Sequence, residues 1–586
     1  MLITTKSSLK QKNEIANKID QPVGKVQTQA TVAEALVQML QDLGVRHAFG
    51  IGGGGIVPIW DALEKSPIDV LYFRHESGAA FAAMEAYFAN GCPVAVFTTT
   101  GPGITNALTG LMAARWEGAK ILLISPSTPK THEGKWAFQE TNFHTMPQEI
   151  FSSGSVFHYA HQVQSGNELP KIAQELAVGF AKTGGFVAHL NIPSDVQTSH
   201  AYNVYPDIPS LLQIIPDGKT IDLVSKILFS ESLAIWVGFG ARDAAKEILQ
   251  IAERTGAAVM SSPRGKGIFP ENHPLYLGVT GFAGHDSVLE FMKSNPPQRI
   301  LVLGTRLGEF TSFWNPLMIP PKGFIHVDID QEVPKAAYPQ AETIPIIADI
   351  KAFTSMLVEK LPPLSADSPV KFLPKFYNSM PSYESRENYT GLVRPIELMK
   401  AIQELIVEGS NATIFADAGN CLSWAVHYLK FDRPKRWRGS TGFGSMGNAT
   451  TGVVGATLVS RSKSVVLVGD GAMLMNNEVN TAVKYNIPAV WIVFNDASYN
   501  MCNQGAVLLG RPSIKADIAP TDFAMLAISM GADGICVNHE SQIRRAILKA
   551  MKSKVPFVID VKINPEELAP IGQRMHSIGK LTNQHP

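Results

Sequence analysis

Three doubly wound α/β domains, each built on a parallel sheet, are what this sequence predicts, on three observations. Short Val/Ile-rich runs alternate with helical patterns along most of the 586 residues, the signature of parallel strands covered by helices. Two Pro-containing passages, HAYNVYPDIPSLLQIIPDG and PPLSADSPVKFLPKFYNSMPSYESRENYTGL, interrupt that alternation and read as linkers. The order apolar strand, Gly-x-Gly turn, helix, apolar strand occurs both in PVAVFTTTGPGITNALTGLMAARWEGAKILLISP and in SVVLVGDGAMLMNNEVNTAVKYNIPAVWIVFND, which implies two domains of one topology.

Taken in order, residues 1–29 are polar and form an expected flexible N-terminal arm. The first domain, residues 30–196, holds YFRHE, PVAVFTTTGPG, KILLISP and FVAHLNIP as strand candidates. The second, residues 215–362, holds LAIWVGFGA, AAVMSS, RILVLGTRLGEF and GFIHVDID. The third, residues 392–570, holds ATIFADAG, SVVLVGDG, AVWIVFND and FVIDVKI. Residues 571–586 remain as a C-terminal tail.

Composition excludes several partners. Lys+Arg and Asp+Glu are both 51, so no excess of basic residues marks a surface for nucleic acid or anionic lipid. No run reaches the roughly 18 apolar residues a membrane span needs, and the N-terminus has no signal-peptide core. Cys92, Cys421, Cys502 and Cys536 are scattered without metal-ligand spacing, which points to a reducing, cytoplasmic setting. Small, uncharged partners are favoured.

The turn Gly469-Asp470-Gly471 carries the most chemistry. Glycines after a strand let backbone N–H groups approach a phosphate, but Asp470 between them would repel it unless a cation intervened. A hard cation such as Mg²⁺ shares oxygen ligands with phosphates, and Asp496 ends the next strand on the same carboxyl edge, where open parallel sheets bind ligands. Asp496 can also be read as a solvated turn residue. Far upstream, RHESGAAFAA sets Glu76 among apolar neighbours, as a desolvated carboxyl group requires. A glutamate serving a helix N-terminus is the competing reading.

With these residues in place, the chain resembles the thiamin-diphosphate-dependent enzymes. GDG, a helix, IP, an apolar strand and ND resemble their cofactor motif, whose usual ending is Asn-Asn, and RHESGAAFAA resembles the segment bearing their catalytic glutamate. FGIGGGGIVPIWDAL, WAFQETN and GFGSMG resemble the acetolactate synthase branch. The resemblance implies a pyrimidine-binding first domain, a central domain and a diphosphate-binding third domain, with thiamin diphosphate and Mg²⁺ as cofactors. It also implies a homodimer or homotetramer, because the pyrimidine domain of one subunit faces the diphosphate domain of another.

By the same resemblance, Glu76 would shift the aminopyrimidine ring to its imino form, placing a base beside the reactive carbon. Phe138 and Gln139 would face the substrate. Gly444 would hold the amino group through its carbonyl, and Met446 would wedge the cofactor into a bent shape. Gly469, Gly471, Ala472, Asn420 and Cys421 would bind the cofactor, and the metal would take Asp470, Asp496 and the carbonyl of Ser498. A 2-oxo acid would lose carbon dioxide, and the remaining fragment would join a second carbonyl compound as an acetolactate-type or acyloin product.

Three departures mark this chain. Gln504 is followed by Gly505 where the branch has Trp, which leaves room for a larger acceptor. GTRLGEFTSFWNP replaces the flavin-contacting stretch, which puts FAD binding in doubt. Asn420 and Cys421 replace the diphosphate-binding Gln-His. The open alternatives are a carboligase for bulky aromatic 2-oxo acids, similar to relatives in pigment pathways such as scytonemin formation, a simple decarboxylase, and an inactive cofactor-binding subunit. A nicotinamide dehydrogenase fails on GIGGGG, which lacks the spaced fingerprint.

Overall fold

The computed structural model describes residues 29–363 and 391–582. The N-terminal arm up to residue 28 and most of the second linker lie outside the described residues. Three six-stranded sheets, parallel throughout, organise the rest. The first contains β2 (His47–Gly50), β3 (Asp69–Tyr72), β4 (Val94–Phe97), β5 (Lys120–Ser127), β6 (Tyr159–Gln162) and β7 (Phe186–Pro193). A two-stranded antiparallel ribbon of β1 (Gln29–Thr31) with β8 (His200–Tyr202) closes this unit.

The second sheet contains β9 (Leu233–Val237), β10 (Ala258–Ser261), β11 (Tyr276–Val279), β12 (Arg299–Leu303), β13 (Phe324–Asp328) and β14 (Thr343–Ile347). The third contains β15 (Thr413–Ala416), β16 (Trp437–Gly439), β17 (Ser464–Gly469), β18 (Val490–Asn495), β19 (Asp533–Val537) and β20 (Phe557–Lys562). The first sheet runs β3-β2-β4-β5-β7-β6 and the third β16-β15-β17-β18-β20-β19. Counted from each sheet's own first strand, the two orders are identical, so the repeated strand-turn-helix unit does mark two domains of one topology. The central sheet differs, running β11-β10-β9-β12-β13-β14.

The helices that shape the site are α1 (Glu76–Asn90), α2 (Pro102–Glu117), α3 (Asn420–Tyr428), α4 (Asn448–Ser460), α5 (Asp470–Met475), α6 (Val479–Lys484), α7 (Asn500–Leu508) and α8 (Gly572–Thr582). The last lies in the segment expected as a tail. Helix α1 is buried over most of its length because ESGAAFAAMEAY offers small and apolar residues on every face. It packs on α4, and the two backbones come close enough that a Cβ at Gly455 would lie 2.0 Å from the Ala82 carbonyl oxygen. Phe81, Ala82, Val453 and Val454 share one core with strand residues of both outer sheets, among them Val96, Val466 and Trp491. The first and third domains are therefore one packed body.

Buried ion pairs reinforce the join. Arg438 forks onto Glu85 of α1 through two hydrogen bonds of 2.7 and 2.8 Å, and Arg264 of the central domain pairs with Glu117 at the end of α2. Among the described residues, no helix is long and apolar enough to cross a membrane.

Candidate active site

In both outer sheets the strand order reverses beside the first strand, and the crevice outside the carboxyl ends at that point is where open α/β sheets take ligands. In the third domain it lies between β15 and β17. The turn after β15 contains Asp417, Gly419 and Asn420; the turn after β17 is Gly469-Asp470-Gly471. Asp417 is buried and accepts hydrogen bonds from the backbone N–H groups of Ala418, Gly447 and Thr450 and from the Thr450 hydroxyl. It thereby ties the start of α4, and with it the Gly444–Met446 loop, to the β15 turn.

Asp470 and Asp496 end the adjacent strands β17 and β18. One Asp470 oxygen accepts from the N–H of Gly471 at 2.7 Å, the other from the N–H of Ser498 at 3.2 Å. Asp496 accepts from the Asn500 side chain at 2.7 Å. Burial raises the Asp470 pKa above the usual carboxylate range. Burial, then the nearby Asp470 charge, pushes Asp496 up to about 7. Two converging carboxylates that each resist ionisation are a site that a divalent cation would relieve.

Unpaired buried polar atoms gather at the same crevice: Asn420 Oδ1, Ser445 Oγ, and both side-chain polar atoms of Asn448. Leaving such groups unsatisfied costs about 1–3 kcal/mol each, so a polar ligand is what the pocket can accept. The Asn420 amide nitrogen donates to Gln504 Oε1 at 3.3 Å, and Gln504 Oε1 also accepts from the Ala569 N–H at 3.0 Å. The Cys421 thiol turns inward to the Asp417 carbonyl oxygen and burial raises its pKa strongly, so its side chain is turned away from any ligand at the start of α3. Gly444 adopts a left-handed φ of +70° with open space beside its Cα, while Met446 is partly buried against the shared core.

In the first domain Glu76 opens α1 and is buried. Its Oε2 accepts from Asn106 Nδ2 of α2 at 3.0 Å. Its Oε1 lies beside Gly103, where a Cβ would come within 3.4 Å. Gln139 sits across the same turn: the Thr100 hydroxyl donates to its side-chain carbonyl at 3.0 Å. Phe138 is 92% exposed and Trp136 beside it 95% exposed. Among the described residues, no hydrogen bond joins Glu76 to the Asp470–Asp496 pair, and the two groups sit in different domains of one chain.

Two of the departures can be placed in the fold. Beside Gly505, where room for a larger acceptor is expected, stands the flexible thioether of Met575 on α8: a Cβ would lie 2.9 Å from its Sδ. The GTRLGEF segment that departs from the flavin-contacting pattern lines a cavity of about 920 Å³ between the domains, with Arg115 and His158 of the first domain, Phe239, Arg242 and Asp328 of the central domain and Thr441 and Gly442 of the third. Asp417, Asn106 and Glu478 are not singled out by the sequence; each acts on a partner distant along the chain, and no local pattern announces that.

Family models match all three domains. The models described as thiamine pyrophosphate enzyme N-terminal TPP binding domain, central domain and C-terminal TPP binding domain match residues 30–146, 221–357 and 417–561. The chain is 28% identical over 573 residues to a probable acetolactate synthase large subunit of Methanocaldococcus jannaschii, covering 94% of each chain. It is 28% identical to the chloroplastic acetolactate synthase 1 of Zea mays, covering 91% of this chain and 86% of the relative. With the acetolactate synthase isozyme 3 large subunit of Escherichia coli it shares 26% identity, covering 91% and 95%.

Proposed function

Because the chain belongs to the thiamine pyrophosphate enzyme family through all three domains, we propose that it decarboxylates a 2-oxo acid and joins the remaining fragment to a second carbonyl compound, giving acetolactate-type products. The observation that carries this reading is the pairing of Asp470 with Asp496 at adjacent strand ends, beside turns and helix starts that carry unpaired buried polar atoms, which suits a metal-bound diphosphate. Bound thiamin diphosphate would supply the carbon nucleophile and electron sink that decarboxylation needs.

The chain's own residues do the rest. Asp470 and Asp496, with the Ser498 carbonyl, would hold Mg²⁺. Gly469, Gly471, Asn420, Cys421 and the backbone N–H of Ala472 would line the diphosphate, and Gly444 and Met446 would orient the aminopyrimidine. Glu76, one oxygen held by Asn106, would share a proton with that ring through the other. Gln139 would orient the substrate, and Phe138 would exclude water once covered.

Glu76 and the acid pair sit in different domains of one chain with no hydrogen bond between them among the described residues, and Trp136 and Phe138 leave apolar rings exposed, as surfaces awaiting a partner do. A homo-oligomer that sets the first domain of one copy against the third domain of another answers both observations. The four free thiols suit a cytoplasmic protein. The test is to incubate the protein with thiamin diphosphate, Mg²⁺ and a panel of 2-oxo acids and to weigh the products. Carbon dioxide with a carbon–carbon-joined product is the expected outcome; an aldehyde alone would reduce the activity to simple decarboxylation, and no carbon dioxide would refute the proposal.

A further inference from the structure

A buried carboxylate that the chemistry above does not use grips the segment carrying Glu76. Glu478 lies between α5 and α6 with a left-handed φ of +52° and is 3% exposed. Its Oε1 accepts from the backbone N–H groups of Arg74 at 3.1 Å and His75 at 3.0 Å. Its Oε2 accepts from the Arg74 N–H at 3.0 Å and from the Thr481 hydroxyl. Neighbouring residues add to the grip: Arg74 Nε donates to Asn480 Oδ1 at 2.7 Å, and Asn476 Nδ2 donates to Ser77 Oγ at 3.4 Å. A Cβ at Gly78 would lie 2.6 Å from Glu478 Oε1, so the absence of a side chain there is what admits the carboxylate.

Resting on the proposed function, we propose that Glu478 is a positioning residue for Glu76, fixing the backbone from which the catalytic carboxylate enters the cofactor site. The two N–H groups it accepts immediately precede Glu76. A residue held in a sparsely populated conformation persists because its surroundings over-determine it, and here those surroundings are the Arg74–Gly78 segment itself. Proton sharing needs heavy atoms within about 2.6–3.2 Å, a tolerance that a loosened turn exceeds. The grip also joins two sites: Glu478 follows α5, whose first residue is Asp470, while Glu76 would serve the partner's cofactor.

The test compares Glu478→Ala, Glu478→Gln and Glu76→Gln, each alone, and Glu478→Ala combined with Glu76→Gln. Exchange of the C2 proton of bound thiamin diphosphate is read by NMR, cofactor affinity by calorimetry and folding by melting temperature. Glu478→Ala slows exchange about tenfold, the scale of a small misplacement, while the cofactor Kd stays close to wild type. Glu478→Gln restores most of the rate, because its amide oxygen still accepts from Arg74 and His75. On the Glu76→Gln background, Glu478→Ala adds less than about twofold, since both changes remove one function.

Unchanged exchange in Glu478→Ala, or a loss that multiplies that of Glu76→Gln, overturns the inference. Wild-type exchange in Glu76→Gln would instead overturn the role of Glu76 and this inference with it. Should Glu478→Ala fail to fold, Gly78→Ala, which displaces the carboxylate from the other side, carries the same comparison.

Discussion

The first and third domains share one strand order yet place opposite chemistry on matching strand ends. After the first strand stand the glycines of Gly52–Gly55 in one and Asp417 with Asn420 in the other. After the second come Glu76 and, in the other, Gly444 and Met446. The third strand leads to Thr98–Gly101 in one domain and to Gly469-Asp470-Gly471 in the other; the fourth leads to Gln139 and to Asp496. The scaffold supplies two equivalent crevices, and on the proposed function the side chains at four turns would suit one to a metal-bound anion and the other to a ring.

Erasing the acid of the third-strand turn should make the two crevices alike and have the largest effect. Asp470→Ala removes the acceptor of the Gly471 and Ser498 N–H groups as well as the proposed metal ligand. Calorimetry should find metal-dependent retention of thiamin diphosphate abolished; unchanged binding would remove the metal assignment. Next in size, Glu76→Gln should leave cofactor binding intact and lower turnover by at least about a hundredfold, the usual scale for a proton-transfer group. Near-normal turnover would break the division of labour between the crevices.

How much of this was legible in the sequence follows from what is local. Asp470 and Asp496 could be read because they terminate apolar runs, and strand ends on one edge converge whenever the sheet is parallel. Glu76 stood out through the match of RHESGAAFAA to the family segment, and its apolar neighbours agree with the burial the structure shows. Glu478, inside the polar run MNNEVN, gave no sign, because its partners Arg74 and His75 lie some four hundred residues earlier. Gly505 shows the same limit: the missing side chain suggests space, while the Met575 thioether beside it comes from α8, a helix hidden in a short, mixed terminal sequence.

Acidity sharpens the comparison further, because only the third-domain crevice holds two carboxylates together. Asp496 rises from 3.8 to about 7 through burial and the Asp470 charge. A cation must displace that proton, so metal affinity should strengthen as pH rises through about 7 and weaken below it. Stability of the metal-free protein runs the other way. Between pH 4 and 7 the native state holds a proton the unfolded state has lost, so stability falls as pH rises through that window. Saturating Mg²⁺ should flatten the trend, and a melting series with and without the metal that showed identical slopes would separate Asp496 from metal binding.

The smallest effect concerns the wall between α7 and α8. If Gly505 bordered an acceptor pocket, Gly505→Trp would redirect product choice toward small acceptors with little loss of stability. The packing of Met575 against Gly505 argues for the reverse. An indole placed there must push α8 away, at about 1–3 kcal/mol for overpacking. Helix α8 is also tied to the central domain, where Arg574 stacks over the Phe310 ring at 4.8 Å, so it cannot move freely. Gly505→Trp should therefore lower the melting temperature while leaving product ratios nearly unchanged, and Met575→Ala should relieve part of that loss when the two are combined, since residues in contact do not act additively. A shift in product ratios without destabilisation would return Gly505 to the acceptor pocket and leave α8 as a bystander.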